Sequence, residues 1–213
     1  MTRIILDTTG VKEALIQVAA DMKLHAEELR LLDAQAGDGD LGVTIELAAQ
    51  GITGCLDSTV ETDIGKLLAQ CGMAINKVSP STFGTILASA FMGGGKAVSG
   101  KEQLDIEGLV MVGEGAIENI KKRGKAEAGD KTLLDSLIPA VESLKKQSTE
   151  GVDDREALLA AVNAAEQGMK ATVDMQAKFG RARWFRDGSI GIQDAGATAI
   201  YYLMKSFADN ISG

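Results

Sequence analysis

The chain has 213 residues, 45% of them apolar and 24% charged, which suits one folded domain over 1–213 and excludes a disordered chain. A formal charge of -8, with no basic cluster interleaved with aromatics, repels a polyphosphate backbone, so no nucleic-acid partner is expected. The start, "MTRIILDTTGVKEALIQ", has an acid and a turn where a secretory signal needs an unbroken apolar run, and no later segment reaches the length of a membrane span; the expected compartment is the cytoplasm.

From Val11 onward, Leu15, Val18, Met22, Leu29 and Leu32 recur at helical spacing, with His25 on the same stripe. Apolar spacing then predicts helices over 43–51, 64–76, 82–92, 106–122, 132–145, 154–179 and 194–207. The chain reads as all-α, with about eight helices and short joints. "TRIIL" is the best strand candidate and stands alone. Pro139 falls within the pattern Leu133, Leu137, Val141, Leu144, which predicts a kink or a later start for that helix. "MGGGKAVSG", Met92 to Gly100, lacks the Walker spacing and a preceding strand, and reads as a flexible connection between helices. Cys55 and Cys71 have no metal-ligand spacing and read as reduced small hydrophobes, although a pair distant in sequence could be close in space.

The joint "DAQAGDGDLGVTIE" crowds Asp33, Asp38 and Asp40 together with Gly37, Gly39 and Gly42. Glycines permit tight turns, and carboxylates without His or Cys favour a hard cation such as magnesium, calcium or manganese. The backbone amides of Leu41, Gly42, Val43 and Thr44 open the next helix, where unpaired N–H groups attract anions. Taken locally, the alternative is that one aspartate caps that helix and the others are solvated.

"LLDAQAGDGDLG", "GMAIN", "FGT", "RGKAEAGDKTLLDSLIPAVESL" and "GRARWFRDGSIGIQDAGATAIYYL" together resemble the nucleotide-binding L subunit, DhaL, of bacterial dihydroxyacetone kinases. The resemblance covers essentially the whole chain. It implies an eight-helix antiparallel up-and-down barrel with ADP or ATP at one end and two Mg2+ ions on Asp33, Asp38 and Asp40. It also implies phosphate contacts at Leu41 to Thr44 and Ser79, with Gly124, Leu133, Arg181, Asp194, Ala195 and Gly196 around the rest of the nucleotide. No catalytic residue beyond metal-assisted transfer is implied, and His25 is not carried over.

The implied partners are a DhaK-like subunit that holds the sugar and, in the branch where ADP stays bound, a DhaM-like phosphotransferase-system protein that recharges it. The sequence departs from the family in two places. Leu41 stands where a histidine is usual, and "NKVSPS" replaces a Gly-Gly-x-Ser-Gly loop, with Lys77, Ser81 and Thr82 offering other polar groups. Arg181, Arg183 and Arg186 form a local basic group beside Trp184, and Arg181 alone stands in the family's Gly-Arg-Ala position. The alternative functions are a regulatory module that engages a transcription factor or enzyme according to nucleotide occupancy, and the nucleotide domain of a fatty-acid kinase.

Overall fold

The computed structural model describes residues 2–211, with all side chains in that range other than those of Arg186 and Asp187. Nine α-helices are present among the described residues: α1 Thr8–Leu24, α2 Ala26–Asp33, α3 Leu41–Ser58, α4 Ile64–Val78, α5 Thr82–Ala97, α6 Ile106–Gly124, α7 Leu134–Thr149, α8 Asp154–Ala171 and α9 Ala195–Ile211. Each of α3 to α9 packs on the next in sequence, and α1 closes the ring between α9 and α3. The result is an all-α up-and-down barrel of eight staves, with α2 as a short ninth helix braced on α3 and α9. Among the described residues, no helix is long and apolar enough to cross a membrane.

The stripes read from the sequence become the interior. Val11, Leu15, Ile52, Leu67, Ile75, Leu87 and Val98 meet in one buried cluster, and Val18, Met22, Leu29, Leu41 and Ile45 meet Ala199 of α9 in another. The ends follow from chain direction. The joints 59–63, 98–105 and 150–153 lie at one end with the N-terminus, where Leu6–Asp7 (β1) pairs antiparallel with Gln103–Leu104 (β2). Only Leu6 of the strand candidate "TRIIL" lies in this two-residue ladder. The joints 34–40, 79–81, 125–133 and 172–194 lie at the opposite end.

Three expectations are corrected. The first helical stretch is broken at His25, which ends α1 and starts α2. Its ring stacks on Tyr202 at 3.9 Å, and this tertiary contact turns the chain without any glycine or proline to announce it. The stretch 92–100 is not a flexible connection, because α5 runs through Gly93, Gly94 and Gly95 to Ala97. Those glycines are buried where α4 and α6 come closest: a Cβ on Gly95 would lie 2.4 Å from the Gly65 carbonyl, and one on Gly93 would lie 2.3 Å from that of Gly115. Close packing outweighs the low helix propensity of glycine.

The helix predicted over 154–179 stops at Ala171 and passes through a 3-10 turn, Thr172–Asp174. The Thr172 carbonyl accepts the Met175 amide of that turn, and the ammonium of Lys131 donates to it and to the Met175 carbonyl as well. Pro139 is inside α7, which starts one residue after Leu133. The carbonyl it leaves without a helical donor, that of Asp135, lies against Gly168 of α8, where a Cβ would meet it at 2.0 Å.

Candidate functional site

Asp33 is the last residue of α2, and Asp38 and Asp40 lie in the turn that leads into α3. One carboxylate oxygen from each lies within 4.8 Å of the other two. The turn needs its glycines. A Cβ on Gly37 would lie 2.4 Å from Asp33 Oδ1, and Gly39 has φ +71°, a left-handed conformation that glycine takes at no steric cost. The turn closes on itself through the Asp40 amide, which donates to Asp33 Oδ2 at 3.0 Å.

The electrostatics are those of an incompletely neutralised cluster. Burial raises the pKa of the Asp40 carboxyl, Asp38 and Asp33 raise it further, and Arg181 opposes them. Arg181 Nη2 lies 2.7 Å from Asp38 Oδ2 and supplies one positive charge to three acids. An all-carboxylate donor set, half open to solvent, fits a hard divalent cation that completes its shell with water or phosphate oxygens.

The N-terminus of α3 stands directly after this cluster. Side chains cap α1, α4, α5, α6 and α8, but α3 has no capping side chain. The first-turn donors of Leu41, Gly42 and Val43 are therefore left to whatever approaches. The Thr44 amide is already bonded to the Asp40 carbonyl at 3.0 Å. Leu41, in the place of the family's histidine, is buried in the core with Met22 and Leu29.

Gly42 lets α3 rest on α2, since a Cβ there would lie 2.4 Å from the Ala26 carbonyl. Ser79, expected at the phosphates, is fully buried, with its hydroxyl 3.5 Å from the Thr44 carbonyl. It braces the first turn of α3 from below. The Thr44 hydroxyl donates to Ser81 Oγ at 2.9 Å, and Ser81 in turn caps α5 through the Gly84 amide. Ser81 and Thr82 are the more exposed polar groups of this joint.

The other expected residues gather on the far side of the same end. A Cβ on Gly196 would lie 3.1 Å from Asp194 Oδ1, 3.5 Å from the Phe83 ring and 3.6 Å from Leu133 Cβ. A Cβ on Gly124 would lie 3.4 Å from Ile86. Ile86, Leu133, Ile138 and Phe179 are half-buried apolar side chains on one cluster. Asp194 caps α9 by accepting the Ala197 amide at 2.7 Å. Burial pushes its pKa up to about 6, with Asp135 and Asp33 adding to the rise and the Ala197 amide and Lys131 opposing it. Arg183 lies over the Trp184 ring at 4.4 Å, apart from the aspartates, and the side chain of Arg186 is outside the described set.

Two residues of this end were not singled out from the sequence. Lys131 is 2% exposed and bonds only to backbone carbonyls, and Asp130 accepts the ammonium of Lys178 at 2.8 Å. The signal available was their place in "GDKT", inside one of the family-like segments.

The DAK2 domain matches residues 35–209. The chain belongs to this family. Over 203 residues it is 31% identical to the "PEP-dependent dihydroxyacetone kinase, ADP-binding subunit DhaL" of Escherichia coli (strain K12), covering 95% of this chain and 97% of that protein. It is 31% identical over 216 residues to the "PEP-dependent dihydroxyacetone kinase 2, ADP-binding subunit DhaL" of Listeria innocua, covering 99% and 98%. Among solved structures, the dihydroxyacetone kinase from C. freundii in complex with AMP-PNP and Mg2+ superposes with a TM-score of 0.73 at 25% identity. The match covers 96% of this chain but 34% of that one, so this DAK2 chain spans about a third of the solved kinase. The all-α architecture expected from the sequence is thus that of a DAK2 protein.

Proposed function

We propose that the chain is the nucleotide-binding subunit of a dihydroxyacetone-type kinase, one cytoplasmic DhaL-type domain over 1–213, presenting its nucleotide to a short ketose on a separate DhaK-like subunit. The observation that carries this reading is the convergence of three carboxylates on a helix N-terminus that has no capping side chain. The names of both DhaL relatives, "PEP-dependent" and "ADP-binding", favour ADP as a resident cofactor recharged by a DhaM-like protein over exchange of free ATP.

In this reading Asp33, Asp38 and Asp40 hold two Mg2+ ions, which when bound offset charge on the transferring phosphoryl group. The chain's own residues position the reactants. The amides of Leu41, Gly42 and Val43 bind phosphate oxygens, with Thr44 and Ser79 fixing that turn from beneath. Arg181 supplies a planar pair of donors suited to phosphate. Leu133, Gly124 and the Asp194 to Gly196 segment, with Phe83 and Ile86 beside them, form an apolar seat for the base. No nucleophile is required of this chain.

Thermal unfolding with EDTA, with Mg2+, and with Mg2+ plus ADP tests the site. A ligand bound only by the folded state at about 100 times its dissociation constant adds about 2.7 kcal/mol. Absence of a nucleotide-dependent shift, once prebound nucleotide is excluded, refutes nucleotide binding. Sugar phosphorylation by the purified chain alone refutes the two-subunit arrangement.

A further inference from the structure

Lys131 lies in the joint before α7 with φ +59°, a left-handed backbone that is uncommon for any residue but glycine and that the exposed Lys125 adopts only as a helix C-cap. Its Nζ donates to the carbonyls of Thr172 at 2.8 Å, Met175 at 3.1 Å, Ser189 at 2.5 Å and Ile192 at 2.6 Å. An ammonium has three N–H bonds, so four carbonyls must share them, much as oxygens surround a coordinated metal cation. A solvated lysine would pair with one surface carboxylate. Here the neighbouring acids Asp194 and Asp174 act on the charge from nearby, and the direct partners are all backbone.

The four carbonyls come in two pairs. Thr172 and Met175 stand where the chain leaves α8, and Ser189 and Ile192 stand where it returns to α9. Between them runs the strap that carries Arg181. The same dipeptide grips the strap again, because Asp130 accepts both the Lys178 ammonium at 2.8 Å and, through its carbonyl, the Lys178 amide at 3.2 Å. Thr172 Oγ1 then accepts the Asp194 amide at 2.9 Å, joining the strap's entry to its exit.

We propose that Lys131 is a positioning residue, a tethered internal cation that folds the 172–192 strap across the aspartate end and so brings Arg181 to Asp38 and Asp194 to the head of α9. Its effect on nucleotide affinity rests on the function proposed above, whereas the clamp itself does not. Loss of the ammonium removes at once the four bonds that tie the strap's entry to its exit, so the strap opens locally while the barrel persists.

The test is amide hydrogen exchange on the full chain without nucleotide, comparing the wild type with Lys131→Met, which keeps the stem and removes the charge. Amides bonded within the strap, those of Ala177, Gly191 and Asp194, should exchange about tenfold faster or more, while α3 to α5 keep their protection. Lys131→Gly relieves the backbone and empties the cage. Ammonium chloride, but not sodium chloride at equal ionic strength, should then restore protection. Binding of Mn2+ alone should not weaken in Lys131→Met, whereas Mg-ADP should weaken about tenfold.

Wild-type protection of the strap in Lys131→Met would overturn the proposal, as would equal loss of protection in every helix. Rescue by sodium as good as by ammonium would overturn the cation assignment. If neither variant folds, the wild type decides: one lysine ammonium should exchange slowly enough to be seen by NMR at neutral pH, and its absence would count against the clamp. Should the wild type itself ignore Mg-ADP, the proposed function falls while strap protection still decides the role of Lys131.

Discussion

Arg181 Nη2 lies 2.7 Å from Asp38 Oδ2, joining the long α8–α9 connection to the α2–α3 turn. The guanidinium is 68% exposed, so the pair itself contributes at most about 1 kcal/mol to folding. Its use is as a cation beside a cluster of acids that also suits metal. Arg181→Gln should leave the unfolding free energy within about 1 kcal/mol of the wild type and should not weaken Mg2+ binding, because a competing positive charge is gone. ADP affinity should fall about tenfold or more, the worth of one charge-assisted hydrogen bond. Calorimetric titrations of Mg2+ alone and of ADP with Mg2+ separate the two effects. Equal loss of both would mean that Arg181 only shapes the turn.

Asp38→Asn and Asp40→Asn should each remove the stabilisation that Mg-ADP gives the wild type, about 2.7 kcal/mol at 100 times the dissociation constant. Neither should destabilise the ligand-free protein, since each relieves repulsion among three clustered carboxylates. Because Asp40 holds its proton more firmly than an ordinary aspartate, Mg2+ affinity should begin to fall with acid above the usual carboxylate range. Thermal shifts measured between pH 4 and pH 7 report both effects.

The stripes that built the barrel were legible because each stave buries one face, and burial leaves helical spacing in the sequence. The aspartate turn was legible for a similar reason: three acids and two turn glycines within eight residues have few other uses. The break at His25 was hidden because its cause is a ring on α9, 177 residues further along. Gly93 to Gly95 misled because glycine signals both loops and close helix contacts, and only the neighbouring backbones tell them apart. Lys131 was illegible because its partners are main-chain carbonyls, which every residue has. Ser79, expected to contact phosphate, is fully buried with its hydroxyl on the Thr44 carbonyl, a burial that the local sequence could not show.

Asp194 carries a stability cost with a definite sign. Its pKa rises from 3.8 to about 6 on folding, so the folded state binds the proton more tightly than the unfolded chain in that window. Its contribution is therefore most favourable below about pH 4, declines as pH rises to 6 and is constant above, a change of roughly 3 kcal/mol. Asp194→Asn keeps a side-chain acceptor for the Ala197 amide and removes the titration. Relative to the wild type, the variant should gain stability between pH 4 and pH 7, by up to that amount. Urea midpoints at the two pH values check it, and a constant difference would show that Asp194 does not titrate on folding.

Gly93→Ala and Gly54→Ala make the same chemical change in two helices and should have opposite signs. In a helix interior alanine is favoured over glycine by about 1 kcal/mol. At Gly54, exposed on α3, a Cβ meets nothing within 4 Å, so that gain should appear in full. At Gly93 the Cβ would lie 2.3 Å from the Gly115 carbonyl and 2.5 Å from Asn119 Cβ, and Gly115 presses back on Gly93 in the same way. The two backbones must part, at a cost of roughly 1–3 kcal/mol that outweighs the propensity gain. Asn119 Nδ2 also donates to the Ser89 carbonyl at 2.8 Å, and that bond would lengthen as α5 and α6 separate. Chemical denaturation of both variants measures the contrast. A stabilised Gly93→Ala would mean that α5 and α6 do not touch there, and that the glycine run is a loop after all.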